Sequence, residues 1–332
     1  MSHFTVLVHI PASEIDGDNI ESLVQAKLQP FHEYECTGRK DQYVIEVDET
    51  DEKLKEYNID TMDVVMFDNK FYGSKYSKQC ERFWNRSYTS SDSKLVLPEG
   101  YTLRENVPCS EVYTFKEYLK DWLGYELDGK YSDYRAERFY RYTNPNSKWD
   151  WWTIGGRWSD HFLGKDGVKY DIIKVKDWDL DTPMKEVLDI HTKFYDKYEA
   201  SGLDEIEFIQ WSDCRTMFDG DWTKIREFYW DQEYIKKLTE LFSTNEEEEK
   251  YSWVLHDPTA FYKISRDSYM KARYYNIVGS FVILFDGKWV EKGDMGWFGM
   301  SSNEKADWDE TYLDKIKNFD DNDYLVLVDC HI

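Results

Sequence analysis

The chain has 332 residues, 33% of them charged, and Asp and Glu outnumber Lys and Arg by 66 to 42, for a net charge of -24. That length allows two domains, and 41% hydrophobic residues with only 7 prolines describe a folded chain, not a disordered one. A field of this sign disfavours DNA, RNA and anionic membranes as direct partners, because phosphate binding runs on clustered Lys and Arg.

The mean hydropathy of -0.75 is low for a large core. However, 26 tyrosines, 18 phenylalanines and 14 tryptophans supply apolar area that such a scale undervalues. Cys36, Cys80, Cys109, Cys214 and Cys330 are widely spaced without a Cys-x-x-Cys pair, so neither a disulfide framework nor a zinc ribbon is implied. The first ten residues lack the order of a signal peptide, and no run of 18 apolar residues occurs. The expectation is a protein of a reducing cytoplasm, with no membrane contact and no cofactor motif.

Phe4–Ile10 reads as a central strand, continuous in apolarity and rich in β-branched residues. A helix is expected from Asn19 to Leu28 with Asp18 as N-cap, then a strand over Tyr43–Val47, giving a β-α-β opening. Met62–Phe67 reads as a further strand and Thr89–Ser93 as a loop. Thr114 and Glu117 fit a capping box for a helix ending near Gly124. Asp166-Gly167 marks a hairpin whose return strand covers Val168–Val175.

The middle of the chain reads as helical. Thr182 with Pro183 opens a helix to Gly202, a second spans Trp222–Phe242, and Asp257-Pro258 begins a third reaching Tyr275. The run Asn245–Lys250 reads as a solvated acidic loop, and Asp48–Glu52 and Asp320–Asp323 as solvated faces. Strands return over Ile277–Phe285 and Trp289–Glu291 around Asp286-Gly287, followed by a helix over Glu310–Phe319 and a buried strand over Tyr324–Ile332. Since both ends read as central strands, the expected fold is α+β: one mixed sheet holding both termini, residues 1–176 and 277–332, with a helical insertion subdomain over 177–276.

Three segments carry candidate chemistry. Asn144–Trp158 concentrates Trp149, Trp151, Trp152 and Trp158 with Lys148, Asp150, Arg157 and Gly155-Gly156. The glycines permit positive φ or a close backbone approach, so nearby amides can line an anion site, with Lys148 and Arg157 neutralising a phosphate or carboxylate and Trp149 or Trp152 stacking on a base. The bland alternative has Arg157 pairing Asp150 while the tryptophans plug a junction. Gly293–Met300, with Trp297 at its centre, suggests a tight packed loop without a phosphate-binding signature. On the last strand Asp329 and His331 share a face and can converge with His3 or His9, whereas Cys330 points away as an apolar filler. The seven histidines show no metal-ligand spacing, so no metal is expected.

Taken together, His3–Val8, Asn144–Trp158, Glu291–Met300 and Val328–Ile332 resemble an uncharacterised protein family scattered through bacteriophage and bacterial genomes. The resemblance covers residues 1–50, 110–175 and 277–332 and carries over no catalytic role. It implies a phage-type accessory protein of the host cytoplasm, one that binds a host protein or protein complex and inhibits a defence or nucleic-acid-handling machine through its acidic surface. The rival expectation is a nucleotide-binding or nucleotide-processing enzyme that uses Lys148, Trp149, Asp150, Trp152, Arg157, Trp297 and His331. A third is an assembly protein whose aromatics bury an oligomer interface.

Overall fold

A computed structural model describes residues 2–85, 94–242, 245–296 and 300–332; the loop expected at Thr89–Ser93 and the site residue Trp297 lie outside these. The chain forms two compact units, one from Met1–Gln29 with Trp151–Ile332 and the other from Pro30–Asp150.

The first unit is built on a mixed sheet: β1 (His3–Ile10), β2 (Trp151–Ile154), β3 (Ile172–Lys174), β4 (Val282–Phe285), β5 (Lys288–Glu291) and β6 (Tyr324–His331). β6 lies between β1 on one side and β2 and β3, end to end, on the other. β1 also pairs in parallel with β4, and β4 turns into β5 through Asp286 and Gly287, both at positive φ. The chain's first and last strands are therefore direct neighbours, antiparallel from His3↔His331 to Ile10↔Tyr324. Both are apolar on alternate faces, which explains why their sequences read as unbroken hydrophobic runs. Leu7, Ile283, Leu325 and Leu327 join the helical core. Val6, Val8, Val326 and Val328 are equally buried on the opposite face, where α1 (Ile20–Leu28) packs on β1 through Val24 and Leu28. Each such side chain withdrawn from water contributes about 1.5–3 kcal/mol.

The helices of 177–276 belong to this same unit. They are α2 (Asp181–Ser201), α3 (Trp211–Met217), α4 (Trp222–Asp231), α5 (Glu233–Leu241), α6 (Glu246–Lys250), α7 (Ser252–Leu255) and α8 (Arg266–Val278), with α9 (Trp308–Lys317) later in the chain. Tyr198, Phe261, Tyr269 and Tyr312 share one continuous core with Leu7 and Leu327. The division thus falls at 29/30 and 150/151, whereas the sequence suggested 176/177 and 276/277. The aromatic side chains of these helices are their contribution to the core over the sheet.

Local details depart from the sequence reading where side chains replace backbone partners. The N-cap of α1 is Asn19, not Asp18; its side chain accepts from Asp16 N and donates to Glu14 O, both at 3.1 Å. Asp179 caps α2, accepting from the amides of Asp181 and Thr182 at 3.0 Å. The helix expected over Trp222–Phe242 breaks at Gln232, whose amide group bonds both Ile209 N (2.7 Å) and Ile209 O (2.9 Å). The expected acidic loop is α6, capped by Asn245 and anchored by buried Glu248 on Lys197. The helix expected from Asp257 starts only at Arg266, capped by Ser265. Within the acidic run 320–323, Asp323 is engaged by His9 and the Ala12 amide, not left to solvent.

The second unit carries two three-stranded antiparallel sheets, one of Ile45–Asp48, Arg138–Thr143 and Ser132–Arg135, the other of Lys70–Ser74, Thr61–Phe67 and Tyr101–Pro108. The strand expected at Tyr43–Val47 therefore pairs here with Arg138–Thr143 and closes no β-α-β unit with β1. The capping box forms as expected, Glu117 N reaching Thr114 Oγ1 at 3.3 Å and Thr114 N reaching Glu117 Oε2 at 2.8 Å. Its two ends run side by side: Lys148 N donates to Phe31 O (2.8 Å) and Glu33 N to Trp149 O (2.6 Å). Paired ends are the geometry of a block inserted into a loop of another unit.

Candidate functional site at the end of the central sheet

Strand register assembles this site. His3 lies opposite His331 and Thr5 opposite Asp329, while Trp151 and Thr153 of β2 flank His331 and Asp329 from the other side. Side chains of one pleat share a face, so His3, Asp329, His331 and Trp151 gather at the end of the sheet that faces the helical layer. Asp329 is 2% exposed and accepts from His3 Nδ1 at 2.8 Å and from the Arg157 amide at 3.0 Å. A carboxylate can only accept here, so His3 donates from Nδ1 to Asp329. The His3 ring meets His331 edge-on at 4.9 Å and Trp151 edge-on at 6.3 Å, and Trp151 is 52% exposed.

The Gly155-Gly156 turn crosses above this carboxylate. Both glycines have positive φ (67° and 55°). A Cβ on Gly156 would fall 2.5 Å from Asp329 Cβ and Oδ2, and one on Gly155 would fall 2.4 Å from Asp171 Oδ2. Asp171 in turn accepts the Asp160 amide at 2.7 Å. The sequence suggested amides here lining a site for an external anion; the amides of Arg157 and Asp160 are instead each taken by one of the protein's own carboxylates, Asp329 and Asp171. Arg157 is exposed, and its guanidinium has no ion pair or hydrogen bond among the described residues, so the expected pairing with Asp150 is replaced by a backbone bond to Asp329.

The predicted residues are divided between the two units. Arg157 and His331 meet around Asp329. Trp152 pairs with Cys330 in register and so lies on the opposite face of the sheet. Lys148, Trp149 and Asp150 belong to the other unit. There Trp149 is 4% exposed against His32, 6.3 Å between rings, a packing role rather than a stacking platform. Asp150, after burial and Glu33, is one of the groups that push the Cys36 thiol up to about 11. Of the residues gathered here, His3 and Asp329 were expected to converge with His331, whereas Trp151 was read only as part of the tryptophan-rich segment. The signal for that convergence was the alternation in two strands already expected to be neighbours, which puts His3, Asp329 and His331 on one face.

Elsewhere, His9 Nε2 meets Asp323 at 2.8 Å and stacks on Phe319 at 4.0 Å, a buried tie between chain segments. Among the described residues, no group of three His, Cys, Asp or Glu is placed to hold a metal ion, and no helix is long and apolar enough to cross a membrane. A cleft of about 540 Å³ lies along Lys165, Tyr170, Lys174 and Tyr324, where Tyr170 is bonded to Asp166 and Lys165 to the Lys176 carbonyl.

The helical layer also carries an aromatic ridge. Trp222, Trp211, Tyr229 and Trp230 form an unbroken series of ring contacts at 6.3, 5.0 and 5.2 Å, with Arg215 over Trp222 at 5.4 Å. Its two ends, Trp222 and Trp230, are 52% and 57% exposed. Residues 203–257 around it hold 15 Asp and Glu against 6 Lys and Arg.

The fold and the site define a mixed-sheet α+β protein with a His–carboxylate couple at one sheet end. No family model, curated protein or solved structure matches the chain.

Proposed function

We propose that this is a binding protein whose acidic helical layer docks a basic surface of another protein. The observation that carries this reading is the Trp222–Trp211–Tyr229–Trp230 ridge, whose outer rings are more than half exposed within strongly acidic surroundings. Trp, Tyr and Arg dominate the energetics of protein contacts, and an acidic rim around them selects a basic partner and speeds encounter. The resemblance to a phage-borne family makes the partner a host protein, and inhibition of a host defence or nucleic-acid-handling complex the consequence. Proteins that handle nucleic acid present basic surfaces, which this layer complements.

The test is capture from host lysate by wild type and by Trp222→Ala/Trp230→Ala. The expected result is a discrete basic partner held at low salt, released as salt rises, and bound about 30-fold or more weakly by the double variant. Equal capture by both proteins, after circular dichroism shows the variant folded, overturns the reading.

A further inference from the structure

We infer that His3, Trp151 and Arg157, arranged around Asp329, form a binding site for a small ligand in which a planar aromatic ring carries one anionic group. The proposal does not rest on the helical ridge. Three observations support it. The first is that Trp151 is 52% exposed on a strand whose neighbouring site carboxylate is buried, so much of its indole surface stays in water after folding. An exposed tryptophan is a large apolar surface left in water, and a planar ring laid on it removes that surface. The second is that the Arg157 guanidinium has no protein partner among the described residues, in a chain where acids outnumber bases by 66 to 42. A planar guanidinium offers paired donors to a carboxylate or phosphate.

The third is that the Arg157 backbone and the His3 ring are tethered to the same carboxylate, with Trp151 set against His3. Asp329 Oδ2 takes the Arg157 amide while Oδ1 takes His3 Nδ1, and the His3 ring touches Trp151 edge-on. His3 is therefore held in one orientation with Nε2 available, as an acceptor when neutral and a donor when protonated. Since Asp329 and Asp171 already occupy the turn's amides, the ligand's anion is taken by the Arg157 side chain and not by the backbone. Trp152, on the opposite face of the sheet, has no place in this site. The same ring-plus-anion chemistry is found in nucleoside monophosphates and in aromatic carboxylates.

Isothermal titration of the full chain with adenosine monophosphate, indole-3-acetate and inorganic phosphate tests the site. The expected result is saturable binding of at least one of the first two, at least tenfold tighter than phosphate. Binding of the nucleotide alone assigns the anion as phosphate, and binding of the indole acid alone assigns it as carboxylate. Arg157→Ala and Trp151→Ala are each expected to weaken that ligand about tenfold, with Trp151→Phe retaining most of the affinity. Arg157 is exposed, so its variant reports on binding, not folding; ¹H–¹⁵N spectra of the His3 ring are expected to shift on titration of wild type. No saturable heat from any probe at about 10 mM, phosphate binding as tightly as the ring-bearing ligands, or unchanged affinity in both alanine variants overturns the proposal. Trp222→Ala/Trp230→Ala serves as the control: it is expected to leave this affinity unchanged, so loss of docking and loss of ligand are separable.

Discussion

At the scale of single residues, two glycines with similar positive φ serve different purposes. Gly156 (φ 55°) and Gly202 (φ 68°) both lie in the left-handed region, but a Cβ on Gly202 meets open space whereas one on Gly156 strikes Asp329. Gly202→Ala is expected to cost about 1 kcal/mol and Gly156→Ala about 3 kcal/mol or more, read from urea unfolding midpoints; equal costs would remove the role assigned to the turn. An anion beside Gly155-Gly156 could be expected from their pattern, but not that Asp329 and Asp171, 173 and 15 residues beyond Gly156, occupy the nearby amides. A second prediction concerns His191, buried beside Tyr269, where burial and then Arg273 hold its pKa down to about 4. Between pH 6.5 and pH 4 the unfolded chain binds a proton there that the folded chain refuses, so stability falls with pH across this window and the loss levels off below it. His191→Gln is expected to flatten the fall by on the order of 3 kcal/mol between pH 7 and pH 4. His161 is also depressed by burial and remains in both proteins, so the difference between them isolates His191.

At the scale of elements, periodicity and turn residues located β1, α1, the Asp286-Gly287 hairpin, the capping box and β6 to within a few residues, because each is specified by local chemistry. The most informative failures involve side chains distant in sequence. Gln232 shows this best. Helical periodicity runs through Trp222–Phe242 unbroken, yet the chain bends at Gln232 because its amide bonds both backbone groups of Ile209, which no local pattern announces. Gln232→Ala leaves an amide and a carbonyl of a half-buried segment unsatisfied and is expected to cost about 2 kcal/mol. It should also increase amide exchange at Ile209 relative to α2; unchanged exchange there would mean that water replaces the side chain without penalty. The acidic run at α6 was misread for a similar reason, since Glu248 is neutralised by Lys197, some fifty residues earlier.

At the scale of the whole molecule, the terminal strands disclosed their common sheet because only central strands are apolar on both faces. The division into units stayed hidden because residues 30–150 are joined to the rest without glycine-rich or charged linkers, and their paired ends leave no compositional mark. For the candidate site, the shared face of Asp329 and His331 was legible from strand alternation, and the convergence of His3 and Trp151 on it depended on a register that sequence could only suggest. The pairing of β1 with β6 has a consequence for synthesis. At roughly 5–20 residues per second, β1 leaves the ribosome about 15–60 s before β6 exists to pair with it. The inserted block, contiguous in sequence and holding its own small cores, can close long before then. Limited proteolysis of nascent chains stalled near residue 300 is expected to show 30–150 protected and β1 still cleavable; early protection of β1 would show that β4 alone shields it. Until the last eight-residue strand arrives, the newborn chain carries an apolar edge ready to join any other strand, which makes this protein a natural client for chaperones that cover such edges.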